Sequence, residues 1–584
     1  MVGREAVLAL RDIAWRAPFK RVNWGPVVLA LTSAVVLYLV LVPLVVALVA
    51  TFREHGYLPF EPGPLTFRNY AYVFLDATTW TLMVNTGLFA AGSLVLGMAF
   101  AILFGWLVER SDMPLRNLTF ALVIAPMIIP GMMVAIAWIF LLDPRIGLIN
   151  LMLRWIPGWE TDRGPLDIYT LGGMIFVEGF RMVPTMFLMI SAAFRNMDPS
   201  LEEASRVAGK SGLATVSRIT LPLMRPAMLA ALLYFFIRAI EVFEVPGVLG
   251  LNAGIHVFST RIYWSVHPAA GGLPDYGLAS TFSLILVAVS AFSVWLYYRL
   301  TRKTYVTVTG KGFRPQRVRL GRMKYLAGLL FLAYFAVTLV LPFFVLLWTS
   351  LHKFYLPPSW EGLRSMTLAS YGELLKDPGV ILAAFNTILL ALLTGTMTML
   401  IALFVGWFVV RSRYRLTRAL DLFAFLPHAL PTVVIALAVM LLYLSFPNPI
   451  YGTIVAISIA LTTSYIAYGS RVMIAGFHQI HPELEEASRV SGANFFRTFW
   501  RVLLPLSAPA FINGWIWVAV HAGRELTAAL MLFSPSSVVV STKVWALWEQ
   551  GRVSVASALG VVLMMMLILI SWAGRSAMTR MRAF

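Results

Sequence analysis

Roughly a dozen stretches of about twenty apolar residues run along this 584-residue chain. Each is long enough for an α-helix to cross a bilayer. Such a chain folds as a polytopic all-α membrane protein, because in lipid each helix satisfies its own backbone polar groups. A β-barrel would instead alternate in short segments. The chain is 59% hydrophobic and 12% charged, against about 25% charged in soluble domains. That excludes an ordinary soluble enzyme, and the apolar content excludes a disordered chain. With no cysteine, disulfides, thiolate metal sites and cysteine nucleophiles are excluded too.

The expected spans begin near Val27, Leu82, Leu118, Thr170, Leu223 and Leu278, then near Tyr325, Val380, Ala419, Tyr451, Ala508 and Val553. That makes about twelve, six per half. The formal charge of +19 has a membrane explanation, since Lys and Arg collect in cytoplasmic loops. Arg4, Arg11, Arg16, Lys20 and Arg21 precede the first span, which is too long for the core of a cleavable signal peptide. Arg302, Lys303, Lys311, Arg314, Arg317, Arg319 and Arg322 lie between the halves with no acidic residue. Both termini are therefore expected in the cytoplasm, as is a basic linker over 301–324. It joins a first domain, 1–300, to a second, 325–584. The loop from Asp143 to Asp167 has balanced charge, which suits the outside face.

The halves repeat. Leu201-Glu-Glu-Ala-Ser-Arg-Val207 recurs as Leu484-Glu-Glu-Ala-Ser-Arg-Val490, and the match runs on through Gly209 and Gly492 to Pro226-Ala227 and Pro509-Ala510. Weaker echoes pair Asn85-Thr86 with Asn386-Thr387, Gly105-Trp106 with Gly406-Trp407, and Ser259-Thr260-Arg261 with Ser541-Thr542-Lys543. Pro126 and Pro130 pair with Pro427 and Pro431. Six spans per half make these parallel repeats.

Each strong repeat falls between the fourth and fifth spans of its half, on the basic side, and predicts a short helix at about 198–212 and 481–495. Asp198-Pro199 reads as N-cap and first helical residue. Glu202 and Glu203, like Glu485 and Glu486, fall in the first turn, where acids favour the dipole. Gly209 and Gly492 suit the helix ends. Ala204 and Ala487 leave room for a partner surface, and two equivalent copies point to two equivalent partners rather than to helices lying idle on headgroups.

Glu203-Ala204-Ser205, Gly209 and Ile219-Thr-Leu221-Pro222, matched by Glu486-Ala487-Ser488, Gly492 and Val502-Leu-Leu504-Pro505, resemble the EAA loop of ABC-importer permeases. Serine replaces the second alanine in both copies, and valine the isoleucine in the second. The resemblance implies a fused type I importer transmembrane domain in the bacterial inner membrane. It also implies coupling helices, with Ser205 and Ser488 in their motifs, docked on two copies of a cytoplasmic ATPase subunit. A periplasmic solute-binding protein would deliver the solute. The fused layout and the segment Thr307-Val-Thr-Gly310-Lys311-Gly-Phe-Arg314-Pro315 resemble the ferric-iron importer permeases, whose relatives with the same layout carry thiamine, phosphonates or other small anions.

The chain itself is expected to be neither enzyme nor nucleic-acid binder and to hold no cofactor, ATP and magnesium belonging to the partner. Gly209-Lys210-Ser211 lacks the earlier glycine a P-loop needs, position 204 being alanine. The histidines do not cluster with metal-ligand spacing: His478 and His481 have no counterpart in the first half. The alternative class, an ion-gradient-driven secondary transporter, has no use for two matching cytoplasmic helices.

Charges within spans are costly and face a protein interior or water. Glu178 and Arg181 are spaced to pair on one helical face. Arg238, Glu241 and Glu244 read as a stripe on the fifth span, with His521, Arg524 and Glu525 in the comparable region and Glu525 a candidate equivalent of Glu244. These eight residues line a translocation path or gate, or fix the packing; both readings place them at the central interface. Pro126, Pro130, Pro427 and Pro431 are expected to kink the third spans, as bend points or as static shape.

Overall fold

The computed structural model describes residues 24–156, 162–198, 200–268, 272–301, 317–412 and 414–582. The N-terminal arginines, Pro199 and most of the basic linker lie outside them. The first half contains α1 (Trp24–Ala50), α2 (Ala77–Arg110), α3 (Arg116–Ile128), α4 (Gly131–Leu142), α5 (Leu171–Asn196), α6 (Ser200–Val207), α7 (Val216–Glu241), α8 (Phe258–Val266) and α9 (Tyr276–Thr301). The second repeats that order: α10 (Met323–Ser350), α11 (Pro378–Arg411), α12 (Leu416–Ala429), α13 (Thr432–Ser445), α14 (Ile454–His478), α15 (Glu483–Val490), α16 (Phe495–Gly523), α17 (Val540–Glu549) and α18 (Val553–Arg582).

Among the described residues nine helices are long and apolar enough to cross a bilayer, and two bent pairs bring the number to eleven. The twelfth expected span is α14. Its 25 residues reach about 37 Å at 1.5 Å each, but Thr462, Thr463, Ser464, Tyr468, Ser470 and Arg471 dilute its apolar content, and it is buried along most of its length.

The third spans are broken rather than kinked. α3 and α4 meet at 94°, α12 and α13 at 108°. Pro126 and Pro427 sit near the start of a single 3₁₀ turn, where a missing N–H is harmless. Pro130 and Pro431 each hold the residue before them extended, at ψ 124° for Ile129 and 125° for Leu430. A residue before proline is driven out of the helical region, so a new helix starts on a new axis. α4 and α13 are buried nearly all round, as expected of helices apolar on every face. Their N-termini end inside the protein.

The repeated Gly-Trp pairs lie at close helix crossings. A side chain at Gly105 would meet Phe194 of α5 at 3.1 Å, and one at Gly406 would meet Met473 of α14 at 2.8 Å. Without a hydrophobic drive in lipid, such small-residue contacts hold α2 on α5 and α11 on α14. The Asn-Thr echo hydrogen-bonds to the residue just before the Ser-Thr echo in each half. Thr86 accepts from the N–H of Phe258 at 3.1 Å, and Thr387 from that of Val540 at 2.8 Å. Thr260 and Thr542 cap the helices so attached.

The first helix of each half packs on the broken span of the other. Tyr38 of α1 lies 3.4 Å from Tyr443 of α13 through their hydroxyls. Tyr334 of α10 donates to the Val123 carbonyl of α3, and Tyr355, just beyond α10, stacks on Phe140 of α4 at 4.7 Å. The halves are therefore interleaved, not side by side.

Candidate functional site

Two places collect the polar groups. One is the central interface. Glu178 and Arg181 form a two-point ion pair on α5, both contacts 2.7 Å. The stripe expected on α7 is interrupted. The helix ends at Glu241 and Val242 is extended, so Arg238 pairs with Glu241 while Glu244 turns away to Arg181 at 3.5 Å. In the second half α16 ends at Gly523. Arg524 then donates to the Met127 carbonyl of α3 at 2.7 Å, and His521 donates from Nδ1 to the Trp517 carbonyl at 2.8 Å.

Hydrogen bonding also corrects the suggested equivalence of Glu244 and Glu525. Ser259 donates to the Val242 carbonyl and Ser541 to that of Glu525. Glu525 therefore matches Val242, and Glu244 belongs to the first half alone.

Both broken spans bring a helix N-terminus to this centre, and each is met by an acid. Glu241 accepts from the backbone N–H of Thr432 at the start of α13. Glu244 lies so close to Gly131, at the start of α4, that a side chain there has no room. Carboxylates suit these positive helix ends.

A cavity of about 360 Å³ opens beside this layer. Two aromatic stacks wall it: Tyr234 on His428 at 4.9 Å, and Tyr468, Trp517 and His521 at successive separations of 3.8 Å. Arg471 lies 4.6 Å over Phe425 and 3.0 Å from Asp421. A smaller pocket of about 70 Å³ continues it, lined by Gly131, Glu244, Glu525 and Thr527 among others. Among the described residues no group of three His, Asp or Glu is placed to hold a metal ion.

The second place is the pair of short helices α6 and α15. Asp198 accepts from the Ser200 N–H at 2.9 Å at the head of α6. Gly209 and Gly492 follow with φ of +74° and +82°, the left-handed conformation that ends helices. Glu202 and Glu485 face inward: Glu202 meets Arg110 at 3.7 Å and accepts from Thr220 at 2.6 Å, and Glu485 meets Arg411 at 2.8 Å. Ser205 and Ser488, the departures from the EAA pattern, each share a hydrogen bond of 2.9 Å with a threonine ten residues on, Thr215 and Thr498. Ala204, Glu486 and Ala487 are exposed and Glu203 is half-buried. Leu201, Ala204 and Val207 share one outer face of α6, as Leu484, Ala487 and Val490 do on α15, with Val207 90% and Val490 89% exposed.

The sequence pattern missed Arg110 and Arg411. Each ends a long span and donates to the C-terminal end of the helix packed against it: Arg110 to the carbonyls of Phe194 and Met197 at the end of α5, at 2.8 and 2.7 Å, and Arg411 to those of Phe477 and Ile480 at the end of α14, at 3.4 and 2.5 Å. With Glu202 and Glu485 they tie the short helices to the bundle. The repeat carried the signal: Gly105-Trp106 and Gly406-Trp407 each precede an Arg-Ser pair by the same interval.

A family model described as binding-protein-dependent transport system inner membrane component matches residues 95–305 and again 398–581. The ferric transport system permease protein of Actinobacillus pleuropneumoniae is 26% identical over 509 residues, covering 84% of this chain and 71% of that one. A putative ferric transport system permease protein of Haemophilus influenzae is 26% identical over 478 residues, covering 80% and 72%. The sulfate transport system permease protein of Escherichia coli is 28% identical over 198 residues, covering 32% and 70%.

Proposed function

The chain belongs to the family of binding-protein-dependent transport system inner membrane components, and on that premise we propose that it moves ferric iron from a periplasmic binding protein to the cytoplasm, driven by two copies of a separate ATPase subunit. The observation that carries the motor half of this reading is the pair α6 and α15. Each presents an exposed Leu-Ala-Val face on a helix anchored to the bundle by a buried Arg–Glu contact. An apolar face held rigidly at the surface suits docking into a groove, and two copies suit a two-fold motor. In this reading both termini and the two short helices lie on the cytoplasmic face. Alternating access at the central layer, where the two halves meet through Glu241 and Thr432, would then follow the movement of the helices.

The cargo reading rests on the ferric permease relatives. The sulfate permease relative supports the same role for another small solute, as phosphonate or thiamine would be. Labelled ferric uptake is the test, in cells carrying the chain with its binding protein and ATPase, beside cells lacking only the chain. Uptake should require the chain and collapse on ATP depletion. Uptake surviving ATP depletion with the membrane potential intact would replace the motor with an ion gradient. Glu203→Lys with Glu486→Lys should abolish uptake while the chain still folds; normal uptake would refute the docking role.

A further inference from the structure

The walls of the central cavity and the layer behind them carry different charge. Among the described residues, four guanidinium groups line the cavity, Arg181, Arg238, Arg471 and Arg524, and one carboxylate, Glu241. Glu178 and Glu241 sit behind their arginine partners, while Glu244 and Glu525 line the smaller pocket beyond the cavity. The Arg181 side chain is 28% exposed and that of Glu178 fully buried; the Arg238 side chain is 46% exposed and that of Glu241 only 5%. Glu241 and Glu244 are further committed to the N-termini of α13 and α4. Arg524 has no carboxylate within ion-pair distance among the described residues, and its hydrogen bond goes to a backbone carbonyl. A solute entering the cavity therefore meets cations, although the layer as a whole holds comparable numbers of both signs.

A bare trivalent cation is a poor occupant of such a space. Guanidinium forks match the oxygens of carboxylates and phosphates at two points. The aromatic stacks add flat walls, and the volume falls at the lower end of small-molecule sites, which run from about 300 to 1,000 Å³. We propose that this cavity is an oxyanion site: the solute crosses as a small carboxylate- or phosphate-type anion, either free or as the ligand shell of a ferric ion. The proposal rests on the cavity being the path of the permease described above, and it names the chemistry that passes.

The test is calorimetric titration of the full chain in lipid nanodiscs with sodium phosphate, sodium citrate, ferric citrate and lanthanum chloride. Phosphate or citrate should bind, and lanthanum alone should not. Tighter binding of ferric citrate than of citrate assigns the anion as a carried ligand, and equal or weaker binding assigns the free anion. Arg238→Gln with Arg524→Gln should weaken anion binding by about tenfold or more, the scale of one lost charge-assisted hydrogen bond. The matching Lys pair should weaken it less, and its melting temperature controls for folding. Lanthanum binding where neither anion binds at millimolar concentration overturns the proposal. So does unchanged anion affinity in a folded Gln pair. Titration needs no motor subunit, so a chain that binds anions but supports no ATP-driven uptake would sink the permease reading and leave the oxyanion site standing.

Discussion

Arg110 and Arg411 show what a single side chain can settle in a membrane protein. Each neutralises a buried glutamate and satisfies carbonyls at the end of a neighbouring span. Removing one partner of a buried pair typically costs about 3–5 kcal/mol, because the other charge stays buried. Arg411→Ala should therefore lower the melting temperature in detergent markedly, and pairing it with Glu485→Gln should recover part of the loss. Equal melting of wild type and single mutant would remove the anchoring role. A milder pair holds the opposite end of α11. The Asp377 carboxyl, hydrogen-bonded to Lys543 at 2.9 Å and to the Gly379 N–H, is held below the usual carboxylate range, chiefly by the lysine. A depressed acid stabilises the fold above its unfolded pKa, near 4, and that contribution is lost as pH falls through the folded value. For a partly exposed pair it amounts to about 0.5–1 kcal/mol. Melting curves from pH 7 down to pH 3 should show this loss in the wild type and not in Asp377→Asn. These residues were hard to read from the sequence because a lone cation at a span end resembles any positive-inside residue. Only the register between the two copies distinguishes them. The Glu178–Arg181 pair was legible because both partners lie on one helix.

At the scale of elements, the left-handed turns after α6 and α15 are the sharpest constraint. A side chain at Gly209 or Gly492 would meet nothing within 4 Å, so the cost of Gly492→Ala is backbone strain alone, about 1–2 kcal/mol. ATP-driven uptake should fall while the melting temperature moves little. Asn in place of Ala should recover part of it, since Asn tolerates this conformation better. An undiminished rate in Gly492→Ala would mean that the turn does not set the aim of α15. The presence of these short helices was legible, because proline, acids, alanine and glycine recur in order, but their length was not: they end at Val207 and Val490 rather than near 212 and 495. The broken spans were half legible. Paired prolines announced a disturbance, but only the extended residue before the second proline turns a kink into a new axis. The interrupted stripe after Arg238 was invisible for a related reason: helical spacing was carried across a helix end that no glycine or proline at that point marks.

The whole molecule is two interleaved repeats. Because α1 packs on α13 and α10 on α3 and α4, each half completes the core of the other. Co-expressed fragments divided within the linker, 1–310 and 311–584, should therefore co-purify and melt as one unit; fragments that purify apart would show that the linker, not the exchange of first helices, holds the halves together. The repeat made the count and order of spans legible, but not the exchange, since apolar helices carry no label for the partner they choose. The exchange also dictates how the protein is made. Tyr38 and Tyr443 are 405 residues apart in sequence. At synthesis rates of about 5–20 residues per second, the partner of α1 emerges some 20–80 seconds after α1 itself. Throughout that interval α1 waits in the bilayer with one face bare, and it is the most apolar of the nine single spans. Its composition suits it to stand alone among lipids until the ribosome has delivered the rest.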